Sequence, residues 1–88
     1  MKRPSVSDWH WEHDPETLLD SLPEEALRAV SALATELAVR ESMIFLEGAA
    51  FSGAMPGVRT ELRGELMLTY LTDVRGERIV VVQVTWFG

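Results

Sequence analysis

The chain has 88 residues, of which 47% are hydrophobic; fourteen are Asp or Glu, eight are Lys or Arg, and none is Cys. This length fits one domain with a small core, and the composition argues against a wholly disordered chain. The net charge of −6 argues against general attraction to nucleic-acid phosphates, and the lack of cysteine excludes disulfides, thiolate nucleophiles and cysteine-bound metals. We expect a single domain over residues 1–88 in the cytoplasm, with no contact to a membrane, because no stretch approaches ~20 apolar residues.

The first predicted element is a short strand that ends near residue 13. Trp9 and Trp11 alternate with His10 and Glu12, a two-residue period that places both tryptophans on one face. A metal site from the histidines and their acidic neighbours is not expected, because residues 10 and 13 of a strand face opposite sides. We therefore expect neither a metal nor another cofactor.

A two-helix hairpin is predicted next. Asp14 followed by Pro15 is typical of a helix start, and Ser21 with Glu24 three residues later indicates a capping box for a second helix. Apolar residues then recur at three- and four-residue steps, at Leu27, Val30, Leu33, Ala34, Leu37 and Ala38. Such a stripe is typical of a helix that packs on a core.

The last third of the chain reads as three strands over residues 58–63, 66–72 and 78–87, separated by short turns that imply antiparallel neighbours. The expected fold is therefore α+β. A short N-terminal strand precedes the two-helix hairpin and a three-stranded antiparallel meander, and the helices pack on one face of the sheet.

The final strand is apolar on both faces, which is typical of a central strand. We expect the helical stripe of Leu27, Val30, Leu33 and Leu37 to pack against Val80, Val82, Val84 and Trp86. That arrangement leaves Leu71, Ile79 and Val81 without a cover. It predicts a protein partner, either a second copy of this chain or a segment of another protein.

The negative charge belongs to the helical half. Residues 1–47 contain ten acidic and four basic residues, whereas residues 48–88 contain four of each. Arg59 and Arg63 share one face of their predicted strand with Glu61 between them. This arrangement has two interpretations, a clamp for a phosphate group or a set of ion pairs with carboxylates, and the sequence leaves both open.

The order of these segments resembles a known family. Residues 18–25 (LLDSLPEE) followed by residues 33–38 (LATELA) resemble the helical hairpin of small bacterial toxins of the RelE/ParE superfamily. Residues 58–64 (VRTELRG), 66–70 (LMLTY) and 78–82 (RIVVV) resemble the E-L-R … R-v-x-Y … i-v-x-L succession of its phage-derived HigB-like branch. The likeness covers almost the whole chain. Met67 departs from it, since the family usually has an arginine near that position, and residues 86–88 do not match the family's basic tail.

The resemblance implies the toxin of a type II toxin–antitoxin pair, with an antitoxin protein as partner. Toxins of the RelE and HigB branches cleave messenger RNA on the ribosome, and those of the ParE branch inhibit DNA gyrase. The residues that match the motif are Glu61, Leu62 and Arg63 for E-L-R and Tyr70 for the strand tyrosine. A homodimer is also compatible with this reading.

RNA cleavage without metal needs a base for the ribose 2′-hydroxyl, cations for the phosphate and an acid for the leaving oxygen. The candidate catalytic residues are Arg63, Tyr70 and Glu61, with Arg59 and Arg78 as RNA-phosphate-binding residues; the early histidines are alternatives to Glu61 as the base. Such an enzyme would be a metal-independent endoribonuclease acting on ribosome-bound mRNA. Two other hypotheses stay open, a non-catalytic toxin-fold inhibitor of a protein target such as gyrase and a toxin-fold accessory or regulatory module.

Overall fold

The computed structural model describes residues 8–88; residues 1–7, with the basic start of the chain, lie outside the described residues. The described part contains β1 (His10–His13), α1 (Glu24–Ile44), β2 (Arg59–Arg63), β3 (Leu66–Asp73) and β4 (Arg78–Trp86). A short 3-10 turn, Gly48–Ala50, lies between α1 and β2. The α+β class and the four predicted strands are therefore confirmed. No helix within residues 8–88 has the length and apolar character needed to cross a membrane.

The four strands form one mixed sheet in the order β1-β4-β3-β2. β2, β3 and β4 are successive antiparallel neighbours, as the predicted meander requires. β1 lies parallel to β4 at the other edge, so the sheet has four strands instead of three. A parallel neighbour requires a long crossover connection, and α1 lies within it.

The predicted two-helix hairpin is wrong, because α1 is the only α-helix of the described residues and the segment before it consists of turns. Its hydrogen bonds span three residues, as from the Leu18 N–H to the Pro15 carbonyl. The capping box is not formed either. Pro23, with an extended ψ of 161°, occupies the N-cap position and no side chain caps the helix. Because α1 begins only at Glu24, Ser21 lies too early in the chain to cap it.

The core lies between α1 and one face of the sheet. Its buried residues are Val30, Leu33, Ala34 and Leu37 of α1, Leu66, Leu68 and Tyr70 of β3, and Ile79 and Val81 of β4. The leucines of the turn segment, Leu18, Leu19 and Leu22, pack against this cluster although they are not helical. Leu27 of the predicted stripe is 37% exposed and lies outside the cluster.

A bulge in β4 changes which of its residues face the helix. Thr69 pairs with Gln83, but the next residue, Tyr70, pairs with Val81, so Val82 is an extra residue in β4. One additional residue shifts the alternation of side chains by one position.

The bulge corrects two predictions about packing. Ile79 and Val81 face α1 before the bulge, and Val84 and Trp86 pack toward the core after it. The prediction for Val84 and Trp86 is therefore confirmed, and the one for Val80 and Val82 is wrong. Ile79 and Val81 also need no outside cover, because both are fully buried in the core between the sheet and α1.

The opposite face of the sheet carries no helix in the described part of the chain. We call it the open face and define it by Leu62, Met67, Leu71 and Val80, which alternate with the helix-facing residues. Leu62 is 66% exposed and Leu71 is 38% exposed, whereas Met67 and Val80 are half-buried. Of the three residues predicted to need a partner, only Leu71 lies on this face.

Candidate functional site

Three charged side chains project from β2 toward α1. Arg59, Glu61 and Arg63 alternate with Thr60 and Leu62, and their register partners in β3 are helix-facing residues. The shared face that the sequence predicted for Arg59 and Arg63 is therefore present. The two arginines lie at opposite ends of this face of β2, and they contact different partners.

At one end, Arg59 forms an ion pair with Glu41, a fully buried residue of α1. Arg59 Nη2 donates hydrogen bonds to Glu41 Oε1 and, at 2.7 Å, to Thr72 Oγ1. The Thr72 hydroxyl donates to the same Glu41 oxygen at 2.9 Å. A buried carboxylate is costly unless it is paired and hydrogen-bonded, and Arg59 and Thr72 meet that requirement at Oε1, whereas Oε2 accepts no hydrogen bond within the described residues.

Arg40 connects this pair to two of the predicted catalytic residues. Its Nη2 donates to the Tyr70 hydroxyl at 2.8 Å, its Nη1 lies 3.5 Å from Glu61 Oε1, and its Nε lies 3.7 Å from Glu41 Oε2. Tyr70 is 1% exposed, and Arg59 Cζ lies 5.4 Å from the centroid of its ring. The ring is therefore part of the core.

At the other end of β2, Arg63 is held by an exposed carboxylate. Its Nη1 and Nη2 donate to Glu36 Oε1 and Oε2 at 3.1 and 2.7 Å, a two-bond fork. Arg63 hydrogen bonds hold the pKa of Glu36 below its ordinary value. Both side chains are about half exposed, at 50% and 56%. Arg63 is thus the β2 arginine that solvent reaches most freely.

Arg78 lies on the open face, away from the other predicted arginines. Its Nε donates to Asp73 Oδ2 at 2.9 Å and its Nη1 donates to Glu12 Oε1 at 2.8 Å. The hydrogen bond from Arg78 lowers the pKa of Asp73. Glu12 also accepts a bond from His10 Nε2 at 2.7 Å, and this contact raises the pKa of His10. The predicted phosphate-binding residues are therefore divided between two faces of the sheet.

The early histidines are distant from Glu61. His10 and His13 lie on β1, and β1 and β2 are the two edges of the sheet. Three strand spacings separate these edges, about 14 Å at the usual spacing. Glu61 and the early histidines are the candidates for the general base, and of these only Glu61 lies on the same strand as Arg63. Within residues 8–88 no three His, Asp or Glu side chains converge in the manner of metal ligands.

Sequence reasoning missed the α1 partners of this cluster, Glu36, Arg40 and Glu41. One signal was available. Glu41 follows Leu37 by four residues, so it continues the apolar stripe and places a charge at a core position. A carboxylate at such a position requires a buried partner.

The fold and the cluster define an α+β protein in which arginines of the sheet are paired with carboxylates of the helix. Comparison of the chain with protein-family models, with curated proteins and with solved structures finds no match.

Proposed function

We propose that the protein is the toxin-fold member of a type II toxin–antitoxin pair and that it acts by binding a protein, not by cutting RNA. The proposal that the protein does not cut RNA rests on one observation. Each arginine predicted to contact RNA is already paired with a carboxylate: Arg59 with Glu41, Arg63 with Glu36, and Arg78 with Asp73 and Glu12.

A ribonuclease stabilises the charge that develops on the phosphate with cations that face the substrate. In this chain a phosphate would have to displace a carboxylate from each guanidinium. The net charge of −6 adds an unfavourable long-range field for a polyanion. The burial of Tyr70 removes this candidate catalytic residue from direct contact with RNA.

The toxin-fold part of the proposal rests on where the family-like motifs lie. The E-L-R match falls on β2, Tyr70 falls on β3 and the apolar run beginning at Ile79 falls on β4, three neighbouring strands under one helix. The open face supports binding of a protein, because uncovered apolar sheet residues such as Leu62 and Leu71 are typical of contact surfaces. The resemblance implies two protein partners, an antitoxin and an inhibited target such as gyrase.

A second candidate function, ribosome-dependent mRNA cleavage, is favoured by a different observation. Arg40, Arg59, Glu61, Arg63 and Tyr70 form one connected cluster on the helix side of β2 and β3. In that mechanism Glu61 accepts the 2′-hydroxyl proton as the 2′-oxygen attacks phosphorus, and Arg63, the most exposed of these cations, stabilises the phosphate. The bond to the 5′-oxygen breaks, and solvent water protonates that leaving oxygen. The third hypothesis is an accessory or regulatory module with no toxicity of its own.

Induced expression in a bacterial host, with growth and transcript cleavage both recorded, separates these functions. Arg63→Ala and Glu36→Ala form a matched pair, because each removes the same exposed ion pair but only the first removes the cation. Protein binding predicts that growth arrest survives both substitutions and that transcripts stay intact. RNA cleavage predicts a loss of ~10²–10³ in rate for Arg63→Ala and no loss for Glu36→Ala, which frees the arginine.

Transcripts cut by the wild-type protein and left intact by Arg63→Ala would overturn our proposal in favour of the nuclease. A wild-type protein that neither slows growth nor cuts transcripts would favour the accessory module.

A further inference from the structure

We infer that two copies of this chain associate through antiparallel pairing of their β2 strands, with Thr60 on the two-fold axis. This inference concerns assembly and does not depend on whether the protein is a toxin. The contact includes Leu62 of the open face, and Arg59 and Glu61 also keep their ion-pair partners within the chain.

β2 is an edge of the sheet, since the strand order ends there. One side of its backbone therefore has no strand neighbour within residues 8–88. Such an edge is a template for another strand unless something protects it. The flanking apolar side chains are well exposed: Val58, the residue before β2, at 60% and Leu62 at 66%.

The second copy is favoured over other strands by self-complementarity. When Thr60 faces Thr60 of the second copy, Arg59 lies opposite Glu61 and Val58 lies opposite Leu62, twice each by symmetry. Opposite charges and apolar pairs at directly facing positions both stabilise antiparallel strands. Arg59 and Glu61 keep 38% and 25% of their side-chain surface exposed, so both are accessible to a second copy.

The neighbouring registers are less favourable, because they place like charges opposite each other or extend the pairing beyond the end of β2. Centring the pair on Glu61 places Glu61 against Glu61 and Arg59 against Arg63, which are like charges at facing positions. Centring it on Leu62 pairs Glu61 with Arg63, but Thr60 then faces Gly64, where the chain already turns into β3. The Thr60 register alone pairs Arg59 with Glu61 and also places Val58, the residue before the strand, opposite Leu62.

This register also fixes the shape of the dimer. Facing residues of antiparallel strands project to the same side, so helix-facing Arg59 and Glu61 match each other and outward-facing Val58 and Leu62 match each other. The two sheets become one sheet of eight strands with both α1 helices on the same side. The two open faces then form one continuous surface.

Light scattering over a dilution series tests the association. We expect the wild-type protein to show twice the 9.9 kDa chain mass and Leu62→Lys to show the mass of one chain. Leu46→Lys is the matched control, because Leu46 is 81% exposed and follows α1, outside the strand that forms the contact. It should leave the dimer intact.

Single cysteines test the register, since the chain has none of its own. Facing Cβ atoms lie about 4.5–5.5 Å apart, close to disulfide range, so Thr60→Cys should be cross-linked by mild oxidation. Leu62→Cys alone should not be, because residues 62 of the two copies lie four positions apart, about 13 Å. A mixture of Val58→Cys and Leu62→Cys chains should form the mixed disulfide.

A single-chain mass for the wild type at every concentration, with Thr60→Cys left uncross-linked, would overturn the inference. So would a dimer that Leu62→Lys leaves unchanged, or one in which Leu62→Cys cross-links to itself faster than Thr60→Cys does.

Discussion

Arg59 and Arg63 lie four residues apart on the same face of one strand, yet they have different environments. Arg59 contacts a fully buried carboxylate, whereas Arg63 contacts an exposed one. The difference comes from α1, where Glu41 lies on the buried stripe and Glu36 lies on the flank. The position of the partner, and not the type of residue on β2, therefore determines which arginine anchors the helix to the sheet.

The largest expected loss of stability comes from breaking the ion pair between Arg59 and Glu41. Glu41→Ala leaves Arg59 and Thr72 without their acceptor. Removing one partner of a buried ion pair costs about 3–5 kcal/mol, and we expect the lower end because Arg59 retains access to water. Chemical denaturation of the purified protein measures this loss.

Glu41→Gln is the control for that experiment. It keeps the shape and one acceptor oxygen, so it should cost less than Glu41→Ala. Equal stability of Glu41→Ala and the wild type would contradict the role of Glu41 as an anchor.

Tyr70→Phe is expected to have an intermediate effect. It keeps the buried ring and removes the hydroxyl that accepts the hydrogen bond from Arg40. The expected loss is about 1 kcal/mol, because Arg40 keeps Glu61 and water as partners. Thermal unfolding measures it. An unchanged melting temperature together with abolished growth arrest would indicate a catalytic hydroxyl instead.

Arg78 adds a pH test on the open face, where its hydrogen bond lowers the pKa of Asp73. A carboxylate whose pKa is lower in the folded state contributes stability above its unfolded pKa and loses that contribution as the pH falls through the folded value. The stability that Asp73 contributes is therefore lost at pH values below about 4. Asp73→Asn should be less stable than the wild type at neutral pH, and the gap should narrow below pH 4. A gap that is constant with pH would contradict this assignment.

The smallest expected effect is at the exposed end of β2. Arg63→Ala removes a half-exposed ion pair with Glu36, and exposed pairs contribute little because water and salt screen them. We expect no measurable change in melting temperature, and the same for Glu36→Ala. A destabilisation as large as that of Glu41→Ala would remove the contrast between the two ends.

The sequence predicted the parts of this fold that depend on local pattern. The alternation of Arg59, Glu61 and Arg63 placed them on one face, and the spacing of Val30, Leu33 and Leu37 gave the buried side of α1. Two features depend on contacts distant in the chain and were missed. The parallel pairing of β1 with β4 is one of them.

The other is the extra residue in β4. The run from Ile79 to Val82 is apolar throughout, so no polar residue marks where the alternation shifts. The prediction of a first helix before α1 was wrong for a local reason. Pro15 and Pro23 delimit a segment in which Leu18 and Leu19 satisfy the helical pattern, but its hydrogen bonds close turns of three residues.

Each sheet arginine proposed to contact RNA is already paired with a carboxylate of its own chain. Binding of a single-stranded RNA oligonucleotide to the purified protein, measured across a salt series, shows whether these pairs prevent contact with phosphates. We expect no saturable binding at physiological salt and no difference between wild type and Arg63→Ala. Three phosphate contacts would make the logarithm of the binding constant fall with the logarithm of salt concentration at a slope of about −2. Saturable binding with such a slope, made shallower by Arg63→Ala, would contradict the expectation that these arginines do not contact RNA.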